Sequence, residues 1–470
     1  MVLARLTLAA ALAAPEQLLA IGLALLFGVD GDAVTDWLAA PTINARLLLA
    51  CMAGGVLPVP FLLAVEAMAC RAMGRVRPGV ISRWSPSYIR VWLKAGLVDS
   101  GSRWLYGTLF WPVWLRLAGM KVGKGCEISS LIDCVPELVE IGDRTFCADG
   151  IYLGGGRLHR GIVTLAPVRL GRNNFLGNGA IIPGGTRLPD DVLLGVCTVA
   201  DESLIRPGTS WFGHPAFELP RREVIELDRR LTHLPSAARY LVRVFWELLR
   251  FALPAAVALL VPVWYALLTM AEGSLAFALL LLAAIPLLNL GVIAATTVLV
   301  IAIKWALLGR VRPGVHPLWS SWASRWDFVC LTWNLYAAEA VSALDGTPWL
   351  AWLLRAMGAR VGKGVVLGSG FAADLPDPDM LTLEDGVTAL CLFQAHTFED
   401  RVLKMDYVTV RRNASVGRNA VLLYGAEIGA AAHVAPNSVV MKHEHLLPGL
   451  WYEGAPTHPR GEGAADGVPA

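Results

Sequence analysis

The chain has 470 residues, of which 55% are hydrophobic and only 17% are charged, and its mean hydropathy is +0.54. This composition is too apolar for a soluble protein of this length and predicts a membrane protein. With 40 basic and 38 acidic residues the formal charge is +2, which argues against nucleic acid as a partner. The eight cysteines form no CxxC pair and no zinc-type cluster, so we predict neither a metal site nor a disulfide framework.

The heptapeptide GRVRPGV occurs twice, at Gly74 to Val80 and at Gly309 to Val315, 235 residues apart. This spacing is half the chain length and indicates a tandem duplication. Each half is predicted to be a membrane protein unit made of an α-helical transmembrane hairpin, a Trp-rich connector and a left-handed parallel β-helix. The predicted segments are 1–73, 74–119 and 120–222 in half one, 223–308, 309–358 and 359–460 in half two, and a disordered tail at 461–470.

Four apolar stretches are candidates for bilayer spans. They are the region ending at Val29, about Leu47 to Ala69, about Phe251 to Met270 and about Leu275 to Leu308. A signal peptide is the alternative for the first. Arginines follow the second and fourth stretches, whereas the loops between the spans are acidic. The positive-inside rule therefore predicts a multi-pass protein of the inner membrane that contacts lipids and keeps both β-helical domains in the cytoplasm.

Each GRVRPGV copy is followed by a segment rich in tryptophan. Indole rings favour the lipid headgroup layer, so we predict helices that lie on the membrane surface, with a substrate-binding aromatic stripe as the alternative. The tryptophans are Trp84, Trp92, Trp104, Trp111 and Trp114 in half one, and Trp319, Trp322, Trp326, Trp333, Trp349 and Trp352 in half two.

Beyond the connectors, aliphatic residues recur every six positions. This period fits a triangular coil in which each hexad forms one flat side and its aliphatic residue points into a narrow core. The series are Leu170, Leu176, Ile182, Leu188 and Leu194 in half one, and Val410, Val416, Leu422, Ile428, Val434 and Val440 in half two. Both halves therefore predict a left-handed parallel β-helix.

The stretch from Ala395 to Pro459, which contains AHTFEDRV and ends in WYEGAPTHP, resembles the hexapeptide-repeat acyltransferases. The whole chain resembles the C-terminal membrane region of ε-poly-lysine synthetase and related nonribosomal peptide synthetases. This resemblance implies cytoplasmic domains that form peptide bonds from an aminoacyl thioester on a carrier protein. We find two β-helical units where that family is expected to have three. We expect adenylation and carrier functions, where they are used, to come in trans.

The resemblance assigns the chemistry to an interruption of the second coil. In such acyltransferases a histidine in this context is the general base, a role that falls on His396. Glu399 and Asp400 follow within the same loop and are predicted to orient the imidazole or to bind a cationic acceptor. In half one His159 is the counterpart only if a three-residue gap is allowed, because the ungapped partner of His396 is Gly156.

The donor is expected to be a phosphopantetheine thioester, carried on a protein or on CoA, because a thin amide-bearing arm suits the edges of parallel coils. Gly425, Ser438 and Lys442 match the positions where related transferases place this arm. No phosphate-binding loop or dinucleotide fingerprint occurs, so we expect neither ATP hydrolysis nor NAD binding.

The sequence as a whole predicts a membrane-anchored acyl or aminoacyl transferase that acts on an amine or a hydroxyl, including amide bond formation in nonribosomal peptide synthesis. Two alternatives remain open: an O-acetyltransferase that acts on a lipid-linked glycan, and a non-catalytic scaffold or export module for a synthetase. A homo-oligomer is compatible with either, because related β-helices assemble as trimers.

Overall fold

A computed structural model describes residues 2–40, 45–220, 225, 227–258, 275–368, 371, 377–399 and 401–460. The chain divides into two compact units. Unit 1 comprises Met1–Val224 and Glu247–Pro286, and unit 2 comprises Ile225–Trp246 and Leu287–Ala470. Asp400, most of the third predicted span and the predicted tail at 461–470 lie outside the described residues.

Among the described residues, three helices are long and apolar enough to cross a bilayer, namely Val2–Leu26, Ala45–Ala72 and Leu275–Leu307. Their length and composition suggest membrane association. The stretch Ala45–Ala72 consists of two consecutive helices, Ala45–Val56 and Pro58–Ala72. The apolar helices Pro58–Ala72 and Leu275–Leu307 each end two residues before a GRVRPGV copy, whose first glycine, Gly74 or Gly309, has a positive φ of +81° or +63° that a helix cannot continue through.

Unit 1 contains further helices around its coil. They are Gly31–Ala39, Pro86–Leu105, Trp111–Ala118, the 3₁₀ turns Pro136–Leu138 and Arg250–Ala252, and Leu253–Ala258. Helix Ala237–Leu249 begins in unit 2 and ends in unit 1. The rest of unit 2 has Arg229–Thr232, Ser321–Tyr336, Ala338–Ser342, Pro348–Met357 and the 3₁₀ turn Pro378–Met380.

The second predicted membrane hairpin, 223–308, is divided between the two units. Its middle part groups with unit 1 because Glu247 accepts a hydrogen bond from the Leu109 amide at 3.0 Å and Arg250 donates to the Trp104 carbonyl at 2.8 Å. The predicted boundary at 222/223 lies two residues from a boundary between the compact units, at 224/225, but the predicted hairpin 223–308 does not form a single unit.

Three sheets form the sides of the coil in unit 1. All their strands pair in parallel except Ser210–Phe212 and Phe217–Glu218, which pair antiparallel. In spatial order their strands are Arg187–Leu188, Val168–Leu170, Val139–Ile141 and Lys121–Val122; Phe217–Glu218, Ser210–Phe212, Leu193–Leu194, Phe175–Leu176, Phe146–Cys147 and Glu127–Ile128; and Ile181–Ile182, Ile151–Leu153 and Leu131–Ile132.

Unit 2 repeats this arrangement with the same three-sided order. Its strands are Arg360–Val361, Leu381–Leu383, Val408–Val410, Glu427–Ile428 and His445–Leu446; Val366–Leu367, Thr388–Ala389, Ser415–Val416, His433–Val434, Trp451–Glu453 and His458–Pro459; and Leu392–Gln394, Val421–Leu423 and Val439–Val440.

The six-residue period places successive aliphatic residues on successive sides of each coil. Leu170 lies in one sheet, Leu176 in the next and Ile182 in the third, after which Leu188 returns beneath Leu170. All the residues of both predicted series are buried. The parallel three-sided coil predicted from the sequence is thus what the described residues form.

A hairpin also projects from each coil. A third strand, which begins at the last two residues of GRVRPGV, pairs with this hairpin. In unit 1 the strands are Gly79–Ser82, Ile162–Leu165 and Arg157–His159, paired antiparallel. In unit 2 they are Gly314–Pro317, Val402–Met405 and His396–Glu399. In unit 2 this small sheet places the end of GRVRPGV beside the hairpin that contains His396, which was predicted to carry the chemistry.

Several connector tryptophans lie inside the protein. Trp114 donates from Nε1 to the Leu63 carbonyl at 2.7 Å, and Trp111 donates to the Ser129 carbonyl at 3.0 Å. Trp326 and Trp333 are buried in unit 2. For these four residues the expectation of a headgroup location is wrong, because their rings are packed in the interior of the protein. Trp84, Trp349 and Trp352 are exposed.

The coil core should dominate the stability of unit 2. Leu422 is 0% exposed and Leu447, on the same coil, is 62% exposed. Leu422→Ala is expected to lower the free energy of unfolding by about 2–5 kcal/mol because the narrow coil cannot collapse around the cavity. Leu447→Ala should change it by less than about 0.5 kcal/mol. Thermal unfolding in detergent measures both, and equal effects would contradict the inward placement of the hexad residue.

Candidate active site

The first residue of the extruded hairpin in unit 2, His396, is bound by a buried carboxylate. Its Nδ1 lies 2.5 Å from Oδ2 of Asp377, whose side chain is 1% exposed, whereas the His396 side chain is 16% exposed. The other carboxylate oxygen, Oδ1, accepts a 2.6 Å hydrogen bond from Nε1 of Trp326. The indole also packs edge-on against the imidazole, with ring centroids 4.9 Å apart.

This arrangement has a direct chemical consequence. With Nδ1 held by Asp377, Nε2 is the ring nitrogen left to exchange a proton with a substrate. The carboxylate fixes the orientation of the ring and stabilises the imidazolium that forms when Nε2 takes up a proton. His396 and Asp377 therefore have the geometry of a general base and its orienting acid.

Three separate segments position the side chains of the site, and the first is the strand His396–Glu399, which carries the imidazole. Trp326 comes from the connector helix Ser321–Tyr336, whose N-terminus is capped by the Ser320 hydroxyl. Asp377 is the N-cap residue directly before the 3₁₀ turn Pro378–Met380. Sequence reasoning missed both Trp326 and Asp377, since one stood among many tryptophans and the other in a proline-rich loop.

Glu399 does not orient the imidazole, contrary to our expectation. In strand His396–Glu399 successive side chains point to opposite faces, so His396 and Glu399 face away from each other. The Glu399 carboxylate instead lies 3.2 Å from Lys404 Nζ and 2.5 Å from Lys442 Nζ, and it is buried. Its charge is thus already compensated by two lysines rather than free for an acceptor. Asp400, the other predicted partner, lies outside the described residues.

The strand register decides which residue of unit 1 corresponds to His396. His396 pairs with Met405, which pairs with Gly314 at the end of the second motif. In unit 1 the equivalent of Met405 is Leu165, which pairs with Gly79, and the next strand pairs Arg157 with Thr164. Gly156 therefore takes the place of His396.

His159 occupies the place of Glu399 and is exposed to solvent. A side chain at Gly156 would begin only 2.7 Å from Cγ1 of Val163, so this position has no room for an imidazole. The prediction of a catalytic role for His159 gains no support from this geometry.

Unit 1 also lacks the two residues that bind or pack against the imidazole in unit 2. The equivalents of Trp326 and Asp377 are Val91 and Val135, which are buried together in one apolar cluster that includes Val163 and Leu165. The space that holds the polar group in unit 2 is thus part of a hydrophobic core in unit 1.

A second histidine, His316, lies near the same carboxylate. It follows directly after GRVRPGV, and its ring stacks on Trp322 with centroids 3.6 Å apart. Burial lowers the pKa of His316 below its ordinary value, and the nearby Asp377 carboxylate opposes this shift. Its counterpart in unit 1 is Ile81, which packs on the apolar cluster. A comparison of the two repeats after the heptapeptide could have identified His316 from the sequence.

The predicted donor residues do not share one environment. Gly425 has a φ of +77°, and a Cβ there would collide with the ring of His443. Lys442 Nζ, held by Glu399, lies 5.3 Å from the ring of Tyr424. Gly425 and Lys442 therefore belong to one corner of the coil.

Ser438 is different, because it is buried and its hydroxyl accepts a 3.2 Å hydrogen bond from the Gly454 amide. This hydroxyl stabilises the coil and is not presented to a ligand. Within the described part of the chain, no group of three or more His, Cys, Asp or Glu residues is arranged to hold a metal ion.

Comparison with known proteins gives one curated relative of high similarity. The chain is 32% identical over 414 residues to delta-poly-L-ornithine synthetase from Acinetobacter baumannii (strain AB307-0294). The match covers 83% of this chain but 30% of the relative. The chain is thus homologous to part of a poly-amino-acid synthetase. This confirms the resemblance predicted from the sequence. No family model matches the chain.

Among solved structures, acetyltransferases show weaker overall similarity to this chain. A maltose O-acetyltransferase from Clostridium difficile 630 is 18% identical, with a TM-score of 0.25, over 34% of this chain and 97% of its own. A galactoside acetyltransferase in complex with coenzyme A is 16% identical, with a TM-score of 0.25, over 37% of this chain and 96% of its own. These values are too low to bear on function.

The pair formed by His396 and Asp377, called the dyad below, generates a prediction for acyl transfer measured with a thioester donor. His396→Ala should reduce transfer by about 10²- to 10⁴-fold, the usual effect of removing a general base. The protein should remain folded, since the imidazole lies outside the coil core. His159→Ala is the matched control and should leave transfer within about twofold. Thiol release from the donor measures both variants, and a larger loss in His159→Ala would contradict the assignment.

Proposed function

We propose that this protein is a membrane-anchored acyl or aminoacyl transferase of the hexapeptide-repeat type, with its active site in unit 2. The single observation that carries the proposal is the His396–Asp377 contact, supported by the Trp326 hydrogen bond to the same carboxylate. The homology to part of a poly-amino-acid synthetase adds the class of product, an amide between amino acids.

The chemistry follows from the free Nε2 of His396. The acceptor binds as a neutral amine, and its nitrogen attacks the thioester carbonyl carbon while Nε2 removes one of its protons. The new C–N bond forms, the C–S bond breaks, and the departing thiolate takes the proton from the imidazolium. Asp377 stabilises the imidazolium during this exchange and returns the ring to its starting tautomer.

The donor in this proposal is a pantetheine thioester, on a carrier protein or on CoA. The corner formed by Tyr424, Gly425 and Lys442 supports a site for the arm, because it has a half-buried glycine turn with a positive φ and an ammonium group that is partly exposed, although this ammonium also pairs with Glu399. An ammonium pairs with the phosphate of such a donor. An adenylation or carrier protein acting in trans would supply the aminoacyl form.

Unit 1 has a different role in this proposal. Its apolar replacement of the dyad leaves a coil that supports the membrane helices and binds partners. This is the part of the protein for which a scaffold function is favoured.

We further propose that the protein is a multi-pass inner-membrane protein with both coils in the cytoplasm, with duplicated hairpins and coils of left-handed sense. The three apolar helices and the arginines of both GRVRPGV copies support this arrangement. A homo-oligomer would be compatible with it.

The topology can be checked by limited proteolysis. Protease added outside intact spheroplasts should leave both coils uncut, whereas protease added to inverted vesicles should remove both, because arginine-flanked segments stay cytoplasmic. Immunoblots against a tag at each coil give the result. Cleavage of one coil alone from outside would contradict an even number of spans in each repeat.

The donor can be identified with purified protein in nanodiscs. An aminoacyl-carrier thioester should yield thiol and an amide product, both lost in His396→Ala, while free amino acid with ATP should be inert because the chain has no adenylate-forming motif. His445→Ala, an exposed histidine on the same coil, is the matched control and should remain active. Thiol release and product mass are followed together.

The outcomes of this experiment separate the alternatives. Turnover of acetyl-CoA with a glycan acceptor, and none with the aminoacyl carrier, would select the O-acetyltransferase. Tight carrier binding without thiol release from any donor would select the scaffold or export module and would refute the transferase.

A further inference from the structure

The last turn of the long apolar helix Leu275–Leu307 forms a buried ion pair with the turn that carries the dyad acid. Lys304 Nζ lies 2.6 Å from Oδ2 of Asp379, and the two side chains are 3% and 1% exposed. Burial raises the pKa of Asp379 above its ordinary value, and the Lys304 ammonium opposes this shift. Burying two charges costs desolvation free energy that their attraction need not recover, so a buried ion pair is weak evidence for a stabilising role. We therefore consider a different role for this pair.

The position of the pair suggests that role. Asp379 lies at the centre of the turn Pro378–Met380, and Asp377 is the N-cap residue directly before it. A small cavity of about 20 Å³ is lined by Lys304, Trp326, Asp377 and Asp379 among others. Where the Asp377 carboxylate faces this cavity, close packing therefore does not fix its position. Its position depends on its hydrogen bonds and on how firmly the turn is held.

Unit 1 contains the same kind of pair with a different origin. Glu137 takes the place of Asp379 in the equivalent turn Pro136–Leu138, and its partner is the buried Lys94 of the connector helix Pro86–Leu105. The residue equivalent to Lys304 is Ala69. The lysine thus comes from the connector helix in unit 1, and from the membrane helix in the unit that has the dyad.

We propose that Lys304 is a positioning residue: by binding Asp379 it ties the end of the membrane helix to the turn that presents Asp377, and so holds the His396 ring in its catalytic orientation. This inference rests on the proposed function for its effect on turnover. Its effect on the His396–Asp377 contact is independent of that function.

The test uses the full chain in nanodiscs and two matched double variants. Lys304→Met with Asp379→Leu removes the tie but leaves no unpaired buried charge, so the protein should stay folded. Lys94→Met with Glu137→Leu makes the same change in unit 1. Single Lys304→Met is less informative, since an uncompensated Asp379 carboxylate would itself destabilise the unit.

Two readouts are compared between these variants. The first is kcat and the donor KM: the unit 2 variant should lose about 10²-fold in kcat with KM unchanged, the scale expected for a misplaced catalytic group, and the unit 1 variant should lose nothing. The second is the Nδ1–H resonance of His396 in protein labelled with ¹⁵N-histidine, identified by its absence in His396→Ala. The contact with Asp377 places this proton far downfield, and the signal should disappear in the unit 2 variant alone.

A unit 2 variant that keeps both the resonance and full kcat would overturn the inference, because the pair would then act only as packing. Loss of the resonance in both variants would also overturn it, since the effect would not be specific to the tie. If the wild-type protein transfers no acyl group, the proposed function fails, while the resonance still decides whether Lys304 positions the dyad.

Discussion

The narrow core of the three-sided coil is the constraint on which the rest of the structure depends. Each side is one hexad long and places a single aliphatic residue on the axis, as Leu422 and Ile428 do, so the coil interior has no space for polar chemistry. Reactive groups must therefore come from segments that leave the coil or pack on its edge. The site in unit 2 is built in this way, because a hairpin supplies His396, a turn supplies Asp377 and a connector helix supplies Trp326.

The two units differ in the whole of this polar group. The unit 2 residues His316, Trp326, Asp377 and His396 correspond to Ile81, Val91, Val135 and Gly156 in unit 1. The physical reason lies in the burial of the carboxylate. Without Asp377 the Trp326 N–H would be buried without an acceptor, and without its partners the carboxylate would be a buried uncompensated charge, each a destabilising change. An apolar cluster is the stable alternative once one member has gone.

The fold was more predictable than the site, since the hexad period is local and repeats along the chain. The spacing of Leu170, Leu176 and Ile182 is enough to predict which residues point into the coil, and the parallel strand pairing confirms this register. The contact between Trp326 and Asp377 joins residues 51 positions apart, and no local pattern reports it. The expectation for Glu399 failed for a simpler reason: loop proximity was considered but not the alternation of strand side chains, which turns Glu399 away from the imidazole.

The buried lysine–acid pairs show a further feature that the two units have in common. Both repeats keep an acid at the centre of the turn, Glu137 or Asp379, and both neutralise it, although the lysine comes from different helices. The feature that the units share is therefore a turn whose buried acid is neutralised, and not one particular helix contact. In unit 2 the consequence is that the coil alone is not a complete site: a fragment that began at the first hexad would keep every inward aliphatic residue, yet it would lack both Trp326 and Lys304. Under the proposed mechanism, the chemistry of the coil therefore depends on the correct position of the apolar helix that precedes it.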